Sequence, residues 1–235
     1  MSTIKKFRIK SFKKKDPMIS FRKIKMLFGK RIVLDEIDFD INKGEIFGML
    51  GPNGVGKSTI LNLITGILRP QSGSISIDGL DVTNLAINLR TRKFGVGYCP
   101  QYSGYFHDLT VEENLFAVGE ILIKDKKDRK SKIDESIGYF ELESVLKLKA
   151  SNLSGGLKKR LAIALSLLGD PRILLLDEPE TGLDSDGLEI LKTAVLEDRN
   201  MTVIASTHDK KNAENWAENL MTIYKGQISP FTIRK

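Results

Sequence analysis

A chain of 235 residues, 41% hydrophobic and 29% charged, is long enough for one globular unit that buries roughly 70–75% of its unfolded surface. Its single cysteine, Cys99, excludes an internal disulfide, and two histidines leave no Cys/His cluster for a structural metal. Apolar runs such as Ile173–Leu176 fall far short of the ~20 residues that a membrane-spanning helix needs.

The net charge of +7 is concentrated at the N-terminus. Residues 1–17 hold seven of the 37 basic residues against one of the 30 acidic ones, which leaves the remaining body at 30 against 29. This extension reads as a disordered, solubilising arm. Its interleaving of Ile4, Phe7, Ile9 and Phe12 with cations also suits an anionic membrane surface. It lacks the apolar core of an export signal. Without a structured basic face it gives no reason to expect nucleic acid as a partner.

From Met18 the pattern becomes regular. Residues 19–28 and 31–41 read as two strands around a Gly29-Lys30 turn, the second alternating in Ile37-Asp38-Phe39-Asp40-Ile41. Glu45–Leu50 reads as a buried strand and Thr59–Ile64 as the start of a helix. Between them lies Gly51-Pro52-Asn53-Gly54-Val55-Gly56-Lys57-Ser58, a complete Gly-x-x-x-x-Gly-Lys-Ser phosphate loop in the strand–loop–helix setting the motif requires. Glycines let the backbone wrap a phosphate with its N–H groups turned inward, and the helix N-terminus adds positive potential. The loop and Thr59 would cradle the nucleotide, with Lys57 on the β- and γ-phosphates and Ser58 on Mg²⁺.

Ser74–Asp78 alternates and ends at an Asp78-Gly79 turn, and Phe94–Pro100 is a further apolar stretch. From about 110 to 168 the pattern is helical, with a charged interval at Lys124–Lys132 that reads as a solvated face or loop. Arg172–Asp177 is a continuous apolar strand ending in two carboxylates. Such a strand end is where open α/β sheets bind ligands. Asp177 is placed to hold the metal through water, and Glu178 to orient and deprotonate a water at the γ-phosphate. Met201–Ser206 is another strand, and Thr222–Tyr224 with Gln227–Ser229 read as a closing hairpin.

Leu153-Ser154-Gly155-Gly156-Leu157 is by itself a capped helix start, with Ser154 as N-cap. Lying between a phosphate loop and an Asp-Glu strand, it resembles the signature sequence of ABC-type ATPases, over nearly all of residues 18–229. That resemblance implies a P-loop α/β fold with an antiparallel β subdomain and a helical subdomain at about 102–168, the domain ending at 229 before a tail at 230–235. It places Phe28 against adenine and makes Gln101 the loop glutamine that senses metal and nucleotide. Gly182-Leu183-Asp184 becomes the D-loop, and His208 the switch histidine. In such proteins two copies, or a copy and a paralogue, pair head to tail around two ATP molecules. Ser154, Gly155, Gly156 and Asp184 of one subunit then complete the site of the other. The family also implies integral membrane transporter subunits docking in a groove near Gln101–Thr110, a peripheral location on the cytoplasmic side of a membrane, and ATP with Mg²⁺ as ligands. Leu157 departs from the Gln usual at the end of the signature. The stretches Leu89–Tyr98 and Phe106–Leu115 are similar to the lipopolysaccharide-export subgroup, while the signature and C-terminal segment differ from it. A soluble ABC-type ATPase that powers assembly or nucleic-acid processing is the alternative.

Overall fold

The computed structural model describes residues 17–196, 201–217 and 219–232. The basic arm, apart from Pro17, lies outside the described residues.

Strands β1 (Pro17–Phe28) and β2 (Arg31–Asn42) form the antiparallel hairpin expected around Gly29-Lys30. With β4 (Ser72–Ile77) and β5 (Leu80–Asp81) they make a four-stranded sheet in the order β2-β1-β4-β5. One face supplies Ile19, Phe21, Ile24, Ile37, Ile41, Ile75 and Ile77 to a core shared with helix α1 (Lys57–Thr65). Alternation along these strands is what a sheet with one buried face demands.

The second sheet has six strands in the order β10-β9-β3-β8-β7-β6. These are β3 (Ile46–Leu50), β6 (Val96–Cys99), β7 (Ile173–Asp177), β8 (Thr202–Thr207), β9 (Asn219–Tyr224) and β10 (Gln227–Thr232). The pairs β3–β8, β3–β9, β7–β8 and β6–β7 are parallel, and the β9–β10 hairpin is antiparallel. Every residue of β7 and β8 is buried, which explains the apolar runs Ile173–Leu176 and Val203–Ala205. Strand β10 continues to Thr232, beyond position 229.

Helices α3 (Val111–Leu122), α4 (Lys126–Tyr139) and α5 (Gly155–Leu167) form the helical region and share a second core with β7 and β8. Thr110 and Glu113 build a capping box at α3, and Asp125 caps α4. The charged interval at 124–132 is thus the first half of a helix. Its face is solvated except for Arg129, which is buried against the Ile123 carbonyl at 3.1 Å and Glu120 at 2.7 Å. Helix α2 (Ile87–Phe94) has no expectation from the sequence, because it is only eight residues long and mostly polar. Helices α6 (Ser185–Leu196) and α7 (Lys210–Trp216) follow β7 and β8.

Two glycines mark where backbones must approach. A Cβ at Gly97 would stand 2.2 Å from the Ser166 carbonyl oxygen, so α5 lies directly on β6, the strand that leads into Gln101. Gly56 has φ 120°, and a Cβ there would press Val33 and Leu34 of β2 at 3.1 and 3.2 Å. The phosphate-binding run therefore sits pinned between the two sheets.

Candidate functional site

Strand β3 stops at Leu50 and α1 starts at Lys57, so residues 51–56 form the phosphate loop at the C-terminal edge of the parallel sheet. Helix α1 has no acidic residue in its first turn and no side-chain cap, so nothing offsets the positive potential of its N-terminus. Lys57 folds back over the loop. Its ammonium donates to the carbonyls of Gly51 at 2.8 Å and Pro52 at 3.3 Å and lies 3.1 Å from Glu178 Oε1. Both partners of that ion pair are buried.

Glu178 is the centre of the constellation. Its backbone has φ 45°, a left-handed conformation unusual outside glycine. The turn is held from β8: the Glu178 N–H donates to Ser206 Oγ at 3.0 Å and to the Ser206 carbonyl at 3.2 Å. The Ser206 hydroxyl in turn donates to Asp177 Oδ1. One serine therefore orients both carboxylates. Glu178 Oε2 accepts from Gln101 Nε2 at 3.1 Å and lies 3.3 Å from His208 Nδ1. Lys57, Gln101, Glu178 and His208 are 57, 101, 178 and 208 residues into the chain, yet they meet around one carboxylate.

A cavity of about 420 Å³ opens beside this cluster. Among the expected residues it is lined by Phe28, Asn53, Gly54, Gly56, Lys57, Ser58, Thr59, Gln101 and Glu178. Phe28 is half exposed at its mouth. Gly51 and Pro52 enter through the carbonyls that hold Lys57, while Val55 packs against the first core. Asp177 lies buried behind Glu178.

Ser154, Gly155, Gly156 and Asp184 are not among the residues lining this cavity. Ser154 caps α5 by accepting from the Leu157 N–H at 3.3 Å. Asp184 accepts from the Gly187 N–H at 2.8 Å and from Arg160 Nη2 at 3.2 Å. These two contacts, the amide first, hold its carboxyl below the usual range. Leu157 packs against the second core.

Several contributors escape a reading of the sequence. Arg31 lines the cavity and donates to the Gly54 carbonyl at 3.0 Å, and Val33 and Tyr102 line it too. Lys159 of α5 is buried and reaches the carbonyls of Pro100, Gln101 and Asp177 at 3.3, 3.4 and 3.4 Å. It joins the signature helix to both the glutamine loop and the carboxylate strand. Asn114 of α3, fully buried, holds the 106–110 loop through the Phe106 N–H at 2.6 Å and the carbonyls of Phe106, Leu109 and Thr110. The segment from 102 to 106 just before it presents Tyr102 and Phe106 to solvent, with Tyr105 turned onto the second core. Cys99 is buried, and burial pushes its thiol up to about 11.

A phosphate loop at the end of a parallel strand, with a carboxylate pair at the end of a second strand one place removed in the same sheet, defines a nucleotide-hydrolysing α/β protein. The ABC transporter family model matches residues 34–181. The Nod factor export ATP-binding protein I of Burkholderia lata is 35% identical over 211 residues, 89% of this chain and 68% of its own length. The protein of the same name from Mesorhizobium japonicum is 34% identical, and there the match covers 61% of its length. The solved dimer of an ATP-binding cassette in a post-hydrolysis state with ADP and Pi superposes with a TM-score of 0.81 and 28% identity, over 93% of this chain and all of its own. A nucleotide-free cassette from an ABC transporter superposes with a TM-score of 0.80 at 25% identity, over 93% of this chain and 92% of its own. The chain belongs to the ABC transporter family and is its ATP-binding, ATP-hydrolysing unit.

Proposed function

We propose that this chain is the ATP-driven subunit of an export-type ABC transporter, working as a head-to-tail pair at the cytoplasmic face of a membrane. The observation that carries the reading is the convergence of Lys57, Gln101 and His208 on the Glu178 carboxylate beside the cavity. Triphosphate oxygens entering the loop would take the Lys57 ammonium from Glu178. That exchange frees the carboxylate to orient a water and accept its proton as the water attacks the γ-phosphorus. Gln101 and His208 hold Glu178 in place and align the water. Phe28 takes the base, and the Gly54 and Gly56 backbone with Thr59 takes the phosphates.

The hydroxyl of Ser58 and the amide oxygen of Gln101 would hold Mg²⁺, with Asp177, buried behind Glu178, reaching it through water. When bound, the ion would neutralise charge between the β- and γ-phosphates. Because Ser154, Gly155, Gly156 and Asp184 lie apart from this cavity, they are assigned to the cavity of a second copy or a paralogue. The two nucleotides then act as glue, and hydrolysis lets the pair open.

The exposed aromatics of the 102–106 loop, together with Phe116 and Ile121 on α3, suit a docking helix from a membrane subunit. Among the described residues no helix is long and apolar enough to cross a membrane. The relatives compared above are named for Nod factor export, so the cargo is read only as far as export. The similarity to lipopolysaccharide exporters in two stretches does not carry further. Isolation of the native chain from membranes tests the reading. A polytopic partner recovered in fixed ratio supports it, and recovery of the chain only from the soluble fraction favours a soluble ATPase.

A further inference from the structure

A third carboxylate sits at the site and has no part in the chemistry described so far. Glu180 lies two residues beyond Glu178, in the turn where the Thr181 N–H donates to the Glu178 carbonyl at 3.1 Å and the Leu183 N–H to the Glu180 carbonyl at 3.2 Å. Glu180 Oε1 accepts from the Thr207 hydroxyl. The same hydroxyl accepts from the Asp209 N–H at 3.0 Å, so Thr207 brackets His208 from both sides of the chain. Glu180 Oε2 is buried and has no hydrogen-bond partner among the described residues.

A buried carboxylate oxygen without a donor is costly, and proteins leave few of them. Two charged groups act on Glu180: Glu178 from its own turn and His208 from the segment after β8. Burial, and to a smaller extent the Glu178 charge, hold its carboxyl above the usual range, while the Thr207 hydroxyl and His208 pull the other way. The His208 side chain is half exposed, with Nδ1 on Glu178 Oε2 at 3.3 Å. Its ring follows directly on Thr207, the residue that Glu180 already holds.

We propose that Glu180 is a positioning residue for His208, anchoring its segment through Thr207 and offering Oε2 to the imidazole N–H. The ring would then be held between two carboxylates, in the orientation that serves Glu178 and the attacking water. A carboxylate that merely pins the turn would need only the oxygen that already meets Thr207. The proposal rests on the ATP-hydrolysis reading above.

The test is single-turnover hydrolysis of Mg-ATP by the full-length chain, comparing parent, Glu180→Gln, His208→Gln and the double variant. Gln preserves the size of the side chain and an acceptor for Thr207, so folding is maintained. Glu180→Gln is expected to lower turnover about tenfold with the ATP KM within about twofold, and to change turnover less than about twofold once His208 is Gln. An equal loss in both backgrounds, or an ATP KM that rises together with the loss of turnover, would overturn the proposal. If His208→Gln leaves no measurable turnover, Thr207→Val takes its place, and its loss should not add to that of Glu180→Gln; additive losses would overturn the proposal. Absence of turnover in the parent would instead defeat the ATPase reading.

Discussion

Arg90 offers the sharpest stability prediction. It is 1% exposed, and its guanidinium serves three separate segments. Nη1 donates to the Leu63 and Ile64 carbonyls at 2.6 and 2.9 Å, Nε to Leu85 at 3.0 Å, and Nη2 to Val82 and Thr83, the latter at 3.3 Å. Leu63 and Ile64 belong to the last turn of α1, which has no basic residue of its own there. Arg90 thus supplies the positive charge that the C-terminal carbonyls of the phosphate-loop helix require. Burial brings the guanidinium down to about 10, which leaves it charged at neutral pH. Arg90→Met keeps the apolar stem and removes every donor. Five acceptors at about 1 kcal/mol each suggest ~5 kcal/mol, and relief of the buried charge offsets ~1–2 kcal/mol of it. The expected loss is about 3–4 kcal/mol, a large share of a typical 5–15 kcal/mol. In a domain of this size that lowers Tm by roughly 6–16 °C. Urea and thermal unfolding measure it directly. Arg90→Lys should recover little, because three ammonium donors on one atom cannot span the three segments. A loss below about 1 kcal/mol in Arg90→Met would refute the capping argument.

Two shorter predictions concern the site. Lys57→Ala should abolish tight ATP binding, measured by fluorescent-nucleotide titration, because the phosphate loop loses its mobile cation; unchanged affinity would count against the assignment of the cavity. Cys99, buried and with its thiol pushed up to about 11, should resist maleimide in the folded protein at pH 7.5 and react promptly in guanidinium. Rapid labelling of the native chain would mean that β6 opens far more readily than its packing implies.

How much of this could be read in advance follows from what each feature depends on. The phosphate loop was legible because its function is local: Gly56 and Lys57 act through the backbone geometry of their own turn. Strands β7 and β8 were legible because burial on both faces writes an apolar run into each, Ile173–Leu176 and Val203–Ala205. The β1–β2 hairpin was legible from alternation and a Gly29-Lys30 turn. Helix α2 escaped because its eight residues are few and mostly polar, its fixed point being one long-range residue, Arg90. Lys159, Asn114 and Arg90 escaped for a common reason. Each satisfies backbone carbonyls brought near by the tertiary fold, and no spacing in the sequence encodes a carbonyl's position. Glu180 was hidden by its neighbours, since a turn after an Asp-Glu pair tolerates many polar residues. Only its burial beside Thr207 singles it out.

In the arrangement proposed above, the cavity takes its signature residues from another copy, since those of this chain do not line it. Glu178→Gln should slow turnover by roughly 10²–10⁴-fold while preserving nucleotide binding. Light scattering of that variant with ATP and Mg²⁺ measures the consequence directly. A stable species of twice the chain mass that dissolves on nucleotide removal is the predicted result. A monomer at saturating ATP would contradict the shared site.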